Sequence, residues 1–405
     1  MIANYLNTKN NIQEKFLDKK SIIKFSKIFN KAFKEINGEI NESNKTLNIL
    51  SSNFRFSVNI KNLQEFKKFK SIALIGMGGS ILGAEAINNF LEKKIKKKIY
   101  FFDNLDLKKI SDFKRKKNSN NILFIIISKS GDTIETLSNF LTLKIIKKNA
   151  KNIILISEKK NNFLFTLSKK FNLFYIEHKN YVGGRYSVLS EVGLIPAYLM
   201  GVDIFKLRRN IKKFLRNKKK LFLKDSTIKL ASLINNKKIN NLIFLNYSPE
   251  LEKLLYWCQQ LIAESLGKNG KGFFPVISNV PKDHHSLLQL YLSGPRDKIF
   301  HIFSVDEKTK EKINIKKISK KSLFLHNKKL DEIKIAQRNA LKKALIIKNI
   351  PFREFKIKAV NEEVLGELFS YFILETILVG KLIKINPFDQ PAVEQVKIFT
   401  KKLLS

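Results

Sequence analysis

Short runs that are apolar at every position constrain this chain more than any other feature: "IALI" (72–75), "IYFF" (99–102), "ILFIII" (122–127), "IILI" (153–156) and "LFYI" (173–176). A strand with one face in water alternates polar and apolar residues, so a uniformly apolar strand must be covered on both faces. The stretches between the runs are long enough for helices. Strand and helix in alternation give a buried parallel sheet with helices on both of its faces. A Lys-rich helical bridge around 204–222 interrupts the rhythm, which resumes with "LIFL" (242–245), "IFHIF" (299–303), "SLFL" (322–325) and "FKIKAV" (355–360). The expected fold is α/β, with two doubly wound parallel-sheet domains in series.

Both flanks read differently. Residues 1–60 show apolar residues at three- and four-residue spacing, as in "SIIKFSKIFNKAFKEI", and read as a helical N-terminal segment. The tail "INPFDQPAVEQVKIFTKKLL" reads as a loop followed by a terminal helix starting near Pro391, a residue well tolerated in a first helical turn. The expected organisation is a helical segment at 1–60, a first α/β domain at 61–203, a second at 204–360 and a helical C-terminal segment at 361–405. A length of 405 residues accommodates that.

The formal net charge of +42 invites a nucleic-acid function. Its distribution points away from one. Lysine runs such as "KKIKKK" (93–98), "KRKK" (114–117) and "IKKISKK" (315–321) are scattered along the chain, with no stripe carrying interleaved aromatics and no DNA-binding motif. The charge reads as compositional, with a field that attracts small anions. No apolar run approaches the ~20 residues of a membrane-spanning helix, and "MIANYLNTKN" lacks the profile of a secretory leader. With a single cysteine, Cys258, no internal disulfide forms, and a cytoplasmic address is expected.

After the first apolar run comes "GMGGS" (76–80). A dinucleotide fingerprint places a third glycine where this chain has Ile81, and an acidic residue about 20 positions on, where Asp103 stands. Taken alone, the loop fits a dinucleotide, another phosphorylated ligand or a tight turn. The third run leads straight into "SKSGDTIET" (128–136), which crowds Ser128, Ser130 and Thr133 at a helix start. Exposed N–H groups and the positive end of the helix dipole favour an anion there, and hydroxyls complete a cradle for a single phosphate. A capping box from Asp132 to Glu135 accounts for those two residues without a ligand, but not for the three hydroxyls together.

These two loops resemble those of the sugar-isomerase domain, which hold a phosphosugar. Three further segments, "VGGRYSVLSEVGL" (182–194), "AESLGKNGKG" (263–272) and "NPFDQPAVEQVK" (386–397), resemble the glucose-6-phosphate isomerase family. The likeness runs from about residue 70 to the C-terminus, and the length is similar to that of the shorter bacterial form. It implies two flavodoxin-like sugar-isomerase domains and reversible interconversion of glucose 6-phosphate and fructose 6-phosphate through a cis-enediol. It also implies no metal or organic cofactor, and a homodimer. Carried over position by position, it implies substrate contacts from Gly79, Ser80, Ser128, Lys129, Ser130, Thr133, Gly184 and Gln390, and catalysis by Glu264, Arg185, His285 and Lys397.

Moving a proton between carbons 2 and 1 needs a carboxylate base, the role the resemblance gives Glu264. If residues 250–266 form one helix, Leu251, Leu254, Leu255, Cys258, Leu261 and Ile262 make an apolar stripe. Trp257 and Glu264, seven positions apart, then share the other side, near a helix end marked by Gly267. Spacing alone equally describes a solvated glutamate. The resemblance sets Arg185 beside the developing enediolate, where a guanidinium stays charged; without it, Arg185 reads as a surface residue in a flexible turn.

His285 matches the histidine that opens the sugar ring, a task suited to an imidazole, although neighbouring His284 and the absence of a preceding Gly-Gln complicate the match. The resemblance also implies that His285 enters the partner's site, and "FFPVISNVPKD" (273–283) before it reads as a projecting loop. Gln390 and Lys397 match a phosphate-side glutamine and a lysine near the ring oxygen. His178, His301 and His326 have no motif around them, and the one Cys and five His lack metal-ligand spacing. Two competing functions are a non-catalytic phosphosugar-binding module and a nicotinamide dehydrogenase, the latter disfavoured by Ile81 and the hydroxyl-rich loop.

Overall fold

The computed structural model of the chain describes residues 5–115, 121–306, 308–315 and 323–405; most of the lysine runs at 114–117 and 315–321 lies outside them. Five strands, β2 (Ser71–Gly76), β3 (Lys98–Phe102), β4 (Ile122–Ile127), β5 (Ile153–Ser157) and β6 (Phe174–Glu177), follow β1 (Leu6–Asn11). They form a wholly parallel sheet in the order β3-β2-β4-β5-β6. Four more strands, β7 (Asn241–Asn246), β8 (Phe274–Asn279), β9 (Lys298–Val305) and β10 (Phe352–Ile357), make a second sheet with β1, in the order β1-β10-β9-β7-β8. In each sheet the first strand of the parallel set lies between the second and third, the flavodoxin-like doubly wound order.

Uniformly apolar strands are explained by what covers them. In β4, Leu123, Ile125 and Ile127 join the large central core while Phe124 and Ile126 face a second cluster on the outer side of the sheet. The central core also takes Phe244 and Phe303 from the second sheet, so one apolar layer joins the two sheets. Through it runs the helix Glu362–Leu382, apolar around almost its whole circumference and buried accordingly. A fully buried Arg353 on β10 bonds His301 on β9 at 2.9 Å and Glu375 on that helix at 2.5 Å, which pairs the one charge with the other.

Three expectations fail. The helical reading of residues 1–60 holds for Lys19–Asn41, but Leu6–Asn11 is a strand, antiparallel to β10 at the sheet edge; only Leu6 is buried, so its sequence shows no apolar pattern. The run at 322–325 is no strand in its described part: Leu323–Leu325 is a turn of 3₁₀ helix with Phe324 72% exposed. The segment after Phe273 is not a projecting loop but edge strand β8, where Pro275 is tolerated because an edge has no ladder to complete on its outer side.

Candidate active site

In a doubly wound sheet, ligands bind outside the carboxyl ends of the strands, at the point where the strand order reverses. That point lies between β2 and β4 here, and both sequence-singled loops leave from it. After β2, Gly78 takes the left-handed conformation (φ 53°). A Cβ on Gly79 would sit 2.2 Å from the carbonyl carbon of Gly184, so the loops at 77–80 and 183–187 touch backbone to backbone. The Ser187 hydroxyl bridges the two, lying 2.7 Å from the Gly184 carbonyl and 3.3 Å from that of Gly79.

After β4, Ser128 is buried and its hydroxyl meets Thr133 Oγ1 at 2.8 Å while accepting from the Gly131 N–H at 3.1 Å. It braces the loop from behind, leaving Ser130 and Thr133 on the cleft. Thr133 is the N-cap of the helix Ile134–Thr142 and makes no side-chain capping bond. The capping box does not form: Asp132 instead accepts from the Phe163 N–H at 2.9 Å.

Arg185, 3% exposed, fastens three segments. Its Nε donates to Ser265 at 2.8 Å, Nη1 to Glu264 at 3.2 Å and Gln390 at 2.7 Å, and Nη2 to the carbonyls of Pro387 at 2.7 Å and Asp389 at 3.0 Å. All five N–H groups are thereby used. Glu264 lies in the last turns of the helix Glu252–Leu266, which Gly267 caps, and its side chain is 30% exposed. Its second oxygen accepts from Gln260, one turn earlier, at 3.0 Å. Trp257 does not share this open side: it is buried edge-on against Phe369. Lys268 holds the 386–389 loop in place through the Asp389 carboxylate at 2.7 Å.

One cleft of about 390 Å³ is lined by Gly79, Ser80, Lys129, Ser130, Thr133, Gly184, Arg185, Glu264, Gln390 and Lys397. That size suits a small ligand. Gln390 caps the 3₁₀ turn that precedes the terminal helix Glu394–Leu404, and Lys397, on that helix, bonds Glu394 at 2.7 Å. His285 lies elsewhere, exposed in the first turn of the helix His284–Ser293. Its neighbour His284 turns to the Tyr247 hydroxyl at 3.3 Å, and burial pushes that imidazole's pKa down. The cleft also contains Met77 and Gly78 of the glycine loop, and Glu158, Lys160 and Gln260, which sequence reasoning did not single out. For Gln260 the available signal was its four-residue spacing from Glu264. Among the described residues no group of His, Cys, Asp and Glu could hold a metal ion, and no helix is long and apolar enough to cross a membrane.

A family model described as Phosphoglucose isomerase matches residues 33–275. The chain belongs to the phosphoglucose isomerase family. Its similarity to individual members of that family extends well beyond the matched segment. It is 34% identical over 378 residues to a Methanococcus maripaludis protein named probable glucose-6-phosphate isomerase, covering 90% of this chain and 84% of that one. It is 31% identical to the Campylobacter jejuni glucose-6-phosphate isomerase, covering 89% and 90%. A crystal structure of a glucose-6-phosphate isomerase from Chlamydia trachomatis superposes with a TM-score of 0.78 over 99% of this chain and 88% of that chain, at 16% identity, a likeness of fold. The two-sheet fold is thus shared with that structure.

Proposed function

We propose that this chain is a glucose-6-phosphate isomerase, interconverting D-glucose 6-phosphate and D-fructose 6-phosphate through a cis-enediol, as a step of glycolysis and gluconeogenesis in the cytoplasm. The observation that carries the mechanism is the position of Glu264, a carboxylate in the cleft with one donor fixed on each oxygen. Those donors orient it while leaving lone pairs for a proton, so it takes hydrogen from carbon 2 and returns it to carbon 1. In the same cleft, Ser130 and Thr133 and the N–H groups of the helix start receive the phosphate.

Arg185 acts through charge. With every N–H already engaged, it cannot reach out to the substrate, but its fixed guanidinium stabilises negative charge that develops on the enediolate beside Glu264. Gln390 and Lys397 complete the cleft, the glutamine toward the phosphate and the lysine toward the ring oxygen.

Ring opening is assigned to His285 of the partner subunit in a homodimer. Support comes from the exposure of His285 and from the terminal helix, where Val396, Phe399 and Leu403 form one apolar face that is 65%, 51% and 87% exposed. Turnover of fructose 6-phosphate by the purified chain without added cofactor separates this function from a dehydrogenase and from a binding module. For the shared site, inactive Glu264→Gln subunits mixed with inactive His285→Ala subunits should regain activity, because a mixed dimer holds one site free of both lesions. Mixed dimers that form, by mass spectrometry of tagged chains, and stay inactive would remove His285 from the partner's site.

A further inference from the structure

Three charged side chains stand at the carboxyl ends of β4 and β5, on the hydroxyl-loop side of the cleft: Lys129, Glu158 and Lys160. Glu158 is fixed by its own backbone. Its N–H donates to the Lys129 carbonyl at 3.0 Å, and its carbonyl accepts from the Lys160 N–H at 2.9 Å and from the Asn162 side chain at 2.8 Å. The carboxylate so placed lies 3.6 Å from the Lys129 ammonium and 2.5 Å from that of Lys160. Its side chain is 13% exposed, while that of Lys160 is 55% exposed.

The charge balance decides what this arrangement does. A phosphate monoester carries nearly two negative charges near pH 7. Lys129 and Glu158 together carry none, and Lys129 gives one N–H to the Asn180 carbonyl at 2.9 Å. Arg185 is fully engaged, and Lys397 is paired with Glu394. His178, which follows β6, is buried, and burial pushes its imidazole down to about 4, so it is neutral at pH 7. A lone Glu158 would repel the ligand. With Glu158 shared between the two ammoniums, Lys160 brings this group of three to a net charge of +1, and it is the more exposed of the two lysines.

We propose that Lys160 is a further phosphate-binding residue, an ammonium carried on Glu158 and delivered to the phosphate end of the cleft; this rests on the reading of the cleft as a phosphosugar site. The test uses the full-length enzyme with inorganic phosphate as a competitive inhibitor. Lys160→Met should raise both the KM for fructose 6-phosphate and the Ki of phosphate about tenfold, with kcat changing less than KM. Lys160→Arg should bring both back to within about threefold of the parent. Lys147→Met removes the same charge at the far end of the first sheet and should leave both within about twofold. Unchanged KM and Ki in Lys160→Met, or equal rises in Lys147→Met, would overturn the proposal. If phosphate does not compete with fructose 6-phosphate in the parent enzyme, the phosphosugar reading itself fails, independently of Lys160.

Discussion

Arg185 and Glu264, 79 positions apart in the chain, are joined by a 3.2 Å hydrogen bond whose donor nitrogen also holds Gln390 at 2.7 Å. One guanidinium thus ties the loop at 183–187, the helix Glu252–Leu266 and the segment before the terminal helix. Removing it takes one of two donors from each of the carbonyls of Pro387 and Asp389, which Tyr186 and Lys268 also serve, and all of its bonds to Ser265 and Gln390, besides deleting the charge beside the base. Arg185→Ala should therefore lower kcat by about 100-fold or more and lower the melting temperature as well. Arg185→Lys keeps the charge but cannot fill five acceptor positions, so it should recover part of kcat and little of the stability. Steady-state kinetics alongside thermal unfolding separates the two effects. A variant that loses activity at unchanged melting temperature would contradict the bracing role.

The two loop glycines should fail in different ways. Gly79→Ala puts a methyl group within 2.3 Å of both the carbonyl carbon and oxygen of Gly184, and backbone on both sides leaves nothing flexible to move. Loss of about 2 kcal/mol or more is expected. Gly78→Ala meets the side-chain nitrogen of Gln260 at 2.7 Å and strains a φ of 53°. That side chain can swing, but it is also the donor to Glu264, so the larger effect should fall on kcat. Denaturant unfolding and kcat measured on both variants check the contrast; the reverse order of effects would refute it.

Acid should destabilise the fold through His178. Burial pushes its imidazole down to about 4, whereas the unfolded chain takes up that proton near 6.5. The contribution is full above pH 6.5 and disappears as pH falls toward 4, a difference of up to roughly 3 kcal/mol. His301, buried beside Arg353, shifts in the same direction. Glu85 behaves oppositely. Burial pushes its carboxyl up to about 7, with Lys253 only 3.6 Å away, so its favourable contribution is present below pH 4.5 and lost as pH rises through 7. In denaturant titrations at pH 5.0, 6.5 and 8.0, His178→Gln should flatten the acid side and Glu85→Gln should gain stability at pH 8.0. A His178→Gln variant that falls as steeply as the parent below pH 6.5 would exclude His178 as the cause.

The first sheet was legible because its central strands are buried on both faces, which forces Ile, Leu and Phe into every position of β4 and Ile and Leu into the first four of β5. Edge strands obey no such rule. β1 buries only Leu6, and β8 carries a proline, so neither signals a strand through composition. The site was legible where a residue type is unusual for its place, as with three hydroxyls at one helix start. Gln260 and Lys160 escaped for the opposite reason. A glutamine on a helix and a lysine in a chain of net charge +42 are ordinary until their neighbours are known. Trp257 was turned the wrong way because a stripe read along one helix does not reveal the second helix that covers its other face.

The base assignment is tested most directly by following the hydrogen on carbon 2 of glucose 6-phosphate in deuterated water, by NMR, with the parent enzyme and with Glu264→Gln. The amide keeps the shape of the side chain but cannot accept a proton from carbon. In the variant, exchange at carbon 2 and isomerisation should both fall by about 1,000-fold or more, while phosphosugar binding stays within about tenfold. Near-normal exchange at carbon 2 in Glu264→Gln would show that another group takes the proton.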